Sequence, residues 1–391
     1  MTAQADPPTV ADVVAALERH HPPGWAESWD SVGLAVGDPG APVRRVVLAV
    51  DPVEPVLREA IALGADLVIT HHPLLLSGVT SVARADGKGR VVHDAIRAGV
   101  ALFNAHTNAD VAPDGVNQAL ADTLGLLDTR PLLPATERAL DQLTVFVPRA
   151  GVDPLLDALT AAGAGRIGAY DRASFRSDGI GTFRPLPGAR PAVGAVGEQE
   201  RVEETRLELV VPRTARRDVL AALRAAHPYE EPAFALVEQI GEPGSRGLGR
   251  VGRLPAATTL AGFTDLVAAR LPATAWGVRA AGDPGRRVET VAVCGGSGAS
   301  EIDVARAAGA DVYLTADLKH HVTSEATTEI GPDAMGLVDA AHWATEWPWL
   351  PVLARQLHVW FRDTLDVHVS TLVSDPWTLH RSSTTAVEAH P

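Results

Sequence analysis

Two adjacent histidines, His71 and His72, are the first residues in this chain whose types could do chemistry. They stand in Thr70-His71-His72-Pro73, just after an apolar run over residues 67–69. Neutral imidazole is the commonest protein metal ligand. Successive strand residues point to opposite faces, so one site can use both rings only if the pair lies past the strand's end. Pro73 favours that placement, because proline cannot continue a central strand and biases His72 toward extended or turn geometry. The competing reading is a solvated loop with two histidines.

Two further pairs have the same chemistry. His106 and Asp110 lie four apart in Asn104-Ala105-His106-Thr107-Asn108-Ala109-Asp110. The competing reading there is a polar loop whose Asp caps the helix after Asp114. His342 and Glu346 are also four apart, which places them on one face of a helix. Their alternative is an interior histidine and a solvent glutamate. Asp317 and His321 read as neighbours of such a site rather than as its ligands. Several imidazoles with two carboxylates suit Zn²⁺, Fe²⁺, Mn²⁺ or Co²⁺ better than Ca²⁺ or Mg²⁺. A bridging carboxylate, Glu346 or Asp110, would hold two ions at roughly 3.5–4 Å, a spacing that activates water at neutral pH. No Ser or Cys triad competes with that chemistry. The lone thiol, Cys294, reads as buried and inert.

The elements that must position these residues alternate between strand and helix. Thr9 and Asp12 form a capping box before a helix over residues 10–19. A turn-rich stretch covers residues 27–37. Residues 46–50 read as a strand, and Asp51 as the cap of a helix with Pro52 in its first position and Gly64 at its end. Strand 67–70, helix 87–98 and strand 101–104 follow. Parallel strands deliver their carboxyl ends to one edge of a sheet, so the clusters after the second and third strands converge.

The pattern then returns. Gly64-Ala65-Asp66-Leu67-Val68-Ile69-Thr70 aligns with Gly309-Ala310-Asp311-Val312-Tyr313-Leu314-Thr315, and Val43 and Val46 fall on Val288 and Val291 at the same offset. Such a repeat predicts two related α/β halves. Each half carries a His-x-x-x-carboxylate pair after its third strand. Packed face to face, the halves would share one roughly two-fold site. Between them, strands at 143–147, 206–211 and 233–239 and helices at 153–162 and 215–226 predict a ferredoxin-like α+β module. The run Gly247-x-Gly249-x-x-Gly252 reads as a hinge, because it lacks the strand and long helix of a dinucleotide site. Gly295-Gly296-Ser297-Gly298 reads as a tight turn or as a source of backbone N–H groups for a phosphate.

Bulk properties narrow the function classes. A chain of 391 residues implies two or three domains, and 46% hydrophobic content implies large cores. The balance of 48 acidic to 34 basic residues, net −14, includes no basic stripe and argues against direct nucleic-acid binding. One cysteine excludes an intrachain disulfide and suits a reducing cytoplasm. Residues 1–8 do not read as a signal peptide. No apolar run reaches the length of a membrane span.

Taken together, Trp29-Asp30-x-Val32-Gly33-Leu34, Thr70-His71-His72-Pro73, His106-Thr107-Asn108-x-Asp110, Gly295-Gly296-Ser297-Gly298 and His342-x-x-x-Glu346 resemble the NIF-three-like dinuclear metal-centre family, whose members are often called GTP cyclohydrolase I type 2 homologs. The resemblance runs from about Val10 to about Leu372. The middle module is similar to the PII-like insertion of longer bacterial members, through Gly168-Ala169-Tyr170, Gly179-x-Gly181-Thr182-Phe183 and His227-Pro228-Tyr229-Glu230-Glu231. The resemblance implies His71, His72, Asp110, His342 and Glu346 as metal ligands for two divalent ions (Zn, Fe or Mn), with His106 a ligand or its neighbour. It also implies a toroidal homo-hexamer acting on a small molecule, either a hydrolase that opens a purine nucleotide ring, a two-metal phosphoesterase, or a regulatory scaffold with little turnover. Ala316 and Ala341 stand where the family has glycine. The expected division is residues 1–129 and 253–373 as the two halves, 130–252 as the insertion and 374–391 as a loose tail.

Overall fold

The computed structural model describes residues 6–136, 139–241, 243–328, 334–362 and 364–382. It comprises two compact units, one of residues 1–135 with 245–391, the other of residues 136–244.

The alternation of side chains along each strand sorts the apolar residues of the larger unit. In the strand Leu67–Thr70, Leu67 and Ile69 face one core while Val68 faces another, and in Arg45–Ala49 Val46 and Leu48 part from Val47 and Ala49 in the same way. The first sheet has the order Gly33–Val36, Ala101–Asn104, Leu67–Thr70, Arg45–Ala49, Asp366–Val369. Its three middle strands are parallel, and Gly33–Val36 runs against its neighbour. The second sheet has the order Val278–Ala281, Gly336–Ala340, Val312–Ala316, Arg287–Ser297, Pro243–Thr259, Leu127–Thr136. Its first four strands repeat the relations of the first sheet, down to an antiparallel first strand.

The repeat extends to single hydrogen bonds. Asp66 accepts from the N–H groups of Arg44 and Arg45, and Asp311 accepts from those of Glu289 and Thr290. Gly64 and Gly309 each end their helix in left-handed geometry, at φ 66° and 77°. Thr9 and Thr259 cap the helices Val10–His20 and Leu260–Arg270. Val46, Leu67 and Phe103 from one sheet share a buried cluster with Val291, Val312 and Val338 from the other.

Three expectations need correction. Asp51 does not cap the next helix. That helix is Glu54–Leu63, with Val53 at its N-cap and Pro55 in its first turn. Gly247, Gly249 and Gly252 lie within the strand Pro243–Thr259 rather than in a hinge. A Cβ on any of them would come within 3 Å of the backbone of a neighbouring strand, namely Leu133 O, Val293 O or Leu127 O. The insertion is also shorter than 130–252, because strands Leu127–Thr136 and Pro243–Thr259 extend the second sheet and leave 136–244 as the separate unit.

That smaller unit runs strand Leu140–Pro148, helix Val152–Ala161, strands Ser174–Phe183 and Glu200–Pro212, helix Arg216–Ala226 and strand Phe234–Glu238. The sheet is antiparallel, with Glu200–Pro212 and Leu140–Pro148 at its centre. This is the ferredoxin-like arrangement. Leu143, Val145, Leu207 and Leu209 pack on Leu155, Leu159, Val219 and Leu223 in a core of its own. The motif residues Phe183 and Tyr229 meet edge to face, and the Tyr229 hydroxyl donates to Glu204. A cleft of about 320 Å³ opens beside them.

Candidate metal centre

The strand Leu67–Thr70 ends one residue before the histidine pair. His71 N–H still donates to Ala49 O and His72 N–H to Val50 O. Both rings therefore leave the sheet edge on the same side, 5.0 Å apart between centroids. The neighbouring strand, Ala101–Asn104, delivers His106, whose ring lies 5.1 Å from that of His71 and 5.5 Å from that of His72. From the second sheet, strand Gly336–Ala340 leads into the short helix His342–Glu346, and His342 comes within 5.2 Å of the His72 ring.

The ring nitrogens are sorted by role. Nδ1 of His71 meets Ala105 O at 3.0 Å, that of His72 meets Asp51 at 2.6 Å, that of His106 meets Asp30 at 2.9 Å and that of His342 meets Asp317 at 2.7 Å. Each partner is an acceptor, which places the proton on Nδ1 and turns the Nε2 lone pair away from it. Glu346 lies where Nε2 atoms converge, 2.9 Å from His342, 3.1 Å from His72 and 3.5 Å from His71. Asp110 stands 3.6 Å from His71 Nε2. Two overlapping groups, His71/His72/His106 and His72/His342/Glu346, each offer ligand atoms within 4.8 Å of one another.

The electrostatics fit a cation. Burial opposes the charged form of His72 and His342, yet Glu346 and the carboxylate on each Nδ1 raise them to about 10 and about 11. Burial also opposes charge on His71, which Glu346 and Asp110 still hold raised. Burial would raise Glu346, but His72, His342 and His71 keep it well below its usual value. Burial pushes Asp110 up to about 6, with His71 pulling the other way. Burial and the charge on His71 bring His106 down to about 4.

Among the described residues, His71 Nε2, Asp110 Oδ1 and Glu346 Oε2 are buried with no hydrogen-bond partner. A divalent ion satisfies such atoms, whereas a purely structural cluster leaves them at a cost. Gly296 makes the space. Its φ is +67°, and a Cβ there would stand 2.5 Å from Glu346 Oε1. Asn117, fully buried, ties the halves together by donating to Asp110 O and accepting from Gly295 N–H.

A Duf34/NIF3 (NGG1p interacting factor 3) family model matches residues 8–376, and with it the whole constellation of imidazoles and carboxylates. The chain belongs to the Duf34/NIF3 family. A Mycobacterium tuberculosis protein named GTP cyclohydrolase 1 type 2 homolog is 47% identical over 371 residues, spanning 95% of this chain and 97% of its own. A Bacillus subtilis protein of that name is 39% identical over 332 residues, spanning 85% and 87%. A Staphylococcus aureus protein of known structure superposes with a TM-score of 0.72 at 30% identity, over 96% of this chain and 100% of its own. A Bacillus cereus protein related to NIF3 gives 0.66 at 35% identity, over 96% and 100%.

Within this NIF3-family chain, all five residues expected as ligands, and His106, reach one place. Asp317 stands beside it, holding His342. His321 does not, being exposed with its ring against His320. The Gly295–Gly298 turn is not a phosphate cradle. The N–H groups of Gly295, Gly296 and Gly298 are spent on Asn117, Thr345 and Thr315. Cys294 is buried, which pushes its thiol pKa up and keeps it inert. From the sequence Asp51 reads only as a helix cap and Asp30 only as part of the Trp29–Leu34 motif, and neither is foreseen as the acceptor behind an imidazole. The expected two-fold echo of the ligand pairs is inexact. Sheet register pairs Thr70 with Asn104 and Thr315 with Asp339, so His106 lies two residues past the register mark and His342 three. The tail is not loose where it begins. Ser374 donates to Asp51, Asp375 is buried and Trp377 contacts Trp276 at 5.5 Å.

Proposed function

We propose that the chain is a dinuclear metal-dependent hydrolase. His71, His72, Asp110, His342 and Glu346 hold two divalent ions, of Zn, Fe or Mn type, with His106 as a further donor. The observation that carries this reading is the sorting of the four rings, each with an acceptor on Nδ1 and with Nε2 left to the centre. Imidazole with carboxylate is a borderline N/O donor set, which favours those metals. Two such ions supply Lewis acidity and make water a nucleophile near neutral pH.

The residues of the chain do the rest. Asp51, Asp30 and Asp317 fix the tautomer and tilt of their imidazoles, and Gly296 leaves room for the Glu346 carboxylate. Thr345 accepts from Gly296 N–H and donates to His342 O, which fastens the short helix to the turn beside it.

The name of the relatives, GTP cyclohydrolase 1 type 2 homolog, points to ring opening of a purine nucleotide as the reaction. Formate release from GTP or from its nucleoside by metal-loaded protein tests it directly, and His72→Ala and Glu346→Ala should each abolish that release. Full activity in both variants would refute the two-metal mechanism. Phosphate release from a nucleotide ester instead would make the protein a phosphoesterase at the same centre. A second reading is a metal-holding regulatory protein with little turnover, favoured by the separate core and cleft of the insertion. It predicts bound metal with neither product. A toroidal homo-hexamer is part of the proposal, by resemblance to the family, and light scattering tests it.

A further inference from the structure

A cavity of about 220 Å³ opens against His72 and His342. Its outer wall is built by the start of the tail, the stretch where the sequence predicts looseness. Trp377 leans on Trp276 with ring centroids 5.5 Å apart and an interplanar angle of 39°. Asp375, which lines the cavity together with that indole, is 7% exposed, and its Oδ2 is buried with no partner among the described residues. The wall is fastened to the site itself, because the Ser374 hydroxyl donates to Asp51, whose other oxygen holds His72.

Each feature constrains a ligand. An unpaired buried carboxylate oxygen is costly unless a donor reaches it. Indole faces take flat rings, and cationic rings best. One face of Trp276 already carries the Arg279 guanidinium, 4.5 Å from the ring centre. Trp377, 57% exposed, is the ring that an incoming molecule meets. Charge adds a preference. Three carboxylates, Asp51, Asp317 and Asp375, line the cavity, so an incoming polyanion is disfavoured there relative to a neutral or cationic molecule.

We infer that this pocket selects a flat nitrogen heterocycle on a neutral or cationic molecule, stacked on Trp377 and donating an N–H to Asp375, and that it turns away polyphosphates. The inference deepens the hydrolase reading and rests on it for the fate of the ligand, though not for its binding. It places the nucleoside or free-base level, rather than the triphosphate, as the substrate class of the centre. Trp377 and Asp375 bind and position the ligand, while His72 and His342, on the same cavity's wall, belong to the metal centre.

The test is calorimetric titration of the full chain, with its metal counted by elemental analysis, in mildly acidic buffer. Guanosine, 7-methylguanosine and GTP share one ring system and differ in charge. The expected result is binding of both nucleosides, the methylated cation tighter, and GTP at least about tenfold weaker than either. Trp377→Ala should weaken both nucleosides by at least about tenfold. Asp375→Asn should erase the preference for the cation. Both variants should keep the wild-type metal content, a readout independent of turnover. GTP binding as tightly as guanosine overturns the inference, as does nucleoside binding that survives Trp377→Ala unchanged, or no nucleoside binding at all. Protein without metal overturns the dinuclear reading instead, and the three affinities still decide the pocket.

Discussion

At the scale of residues, each of the four imidazoles is held by an acceptor on its Nδ1. Removing a carboxylate behind an imidazole typically costs 10–100-fold in metal affinity. Asp51→Ala should therefore lower affinity by about that factor without unfolding the chain, as measured by competition against a chelating indicator. Gly296→Ala should do more. Its Cβ would press on Glu346 Oε1 from a left-handed backbone, at φ +67°, and both the carboxylate and the turn must shift. Most of the metal should be lost, as read by elemental analysis. Because His72 and His342 are raised to about 10 and about 11 by Glu346 and by their Nδ1 partners, an incoming metal ion must displace protons. Affinity should rise with pH, and calorimetry in buffers of different ionisation heat should register proton release. The imidazoles and carboxylates that meet at the centre were legible from type and spacing as candidates. Asp51 was not, because an acid after a strand and before a proline reads equally well as a helix cap.

At the scale of elements, the repeat was the most informative signal. Gly64 and Gly309 were visible as helix ends, and strand Leu67–Thr70 falls where its apolar run ends. The equivalent role of Asp66 and Asp311, each receiving two N–H groups from the start of a neighbouring strand, shows only once the sheets are built. Losing an acceptor from two hydrogen bonds costs about 1–3 kcal/mol. Asp311→Ala should lower the urea midpoint accordingly, and Asp66→Ala similarly, with metal content unaffected. His21 follows the helix Val10–His20, buried to 1% exposure with its ring edge-on to Trp349. Burial lowers its pKa to about 4. The folded state thus prefers neutral His21, while the unfolded chain takes up a proton near its ordinary pKa. This contribution is complete above roughly pH 6.5 and is lost as pH falls toward about 4, on the order of 3 kcal/mol in all. His21→Leu should flatten the loss of stability between those limits, compared with wild type in urea titrations.

At the scale of the whole molecule, composition and the repeat were enough to foresee two α/β halves and an insertion between them. The edges were misplaced. The insertion's edges at 130 and 252 fall inside residues 127–136 and 243–259, which are strands of the second sheet, and the glycines of the later strand admit close backbone packing. The opening of the tail was missed too, since a polar stretch with proline gives no sign of the wall that Asp375 and Trp377 complete. The insertion has its own core, so residues 136–244 should fold alone with a cooperative unfolding transition. A chain in which a short linker replaces them should keep its metal. Among the described residues no helix is long and apolar enough to cross a membrane.

The most direct test of the central claim is the number of metal ions per chain, determined by elemental analysis on protein purified without a histidine tag. Two divalent ions per wild-type chain are expected, and a loss of metal in Glu346→Ala, the carboxylate within 3.5 Å of Nε2 on three of the four rings. A chain that holds no metal after loading with Zn²⁺, Mn²⁺ or Fe²⁺, or a Glu346→Ala variant that keeps its full complement, would contradict it.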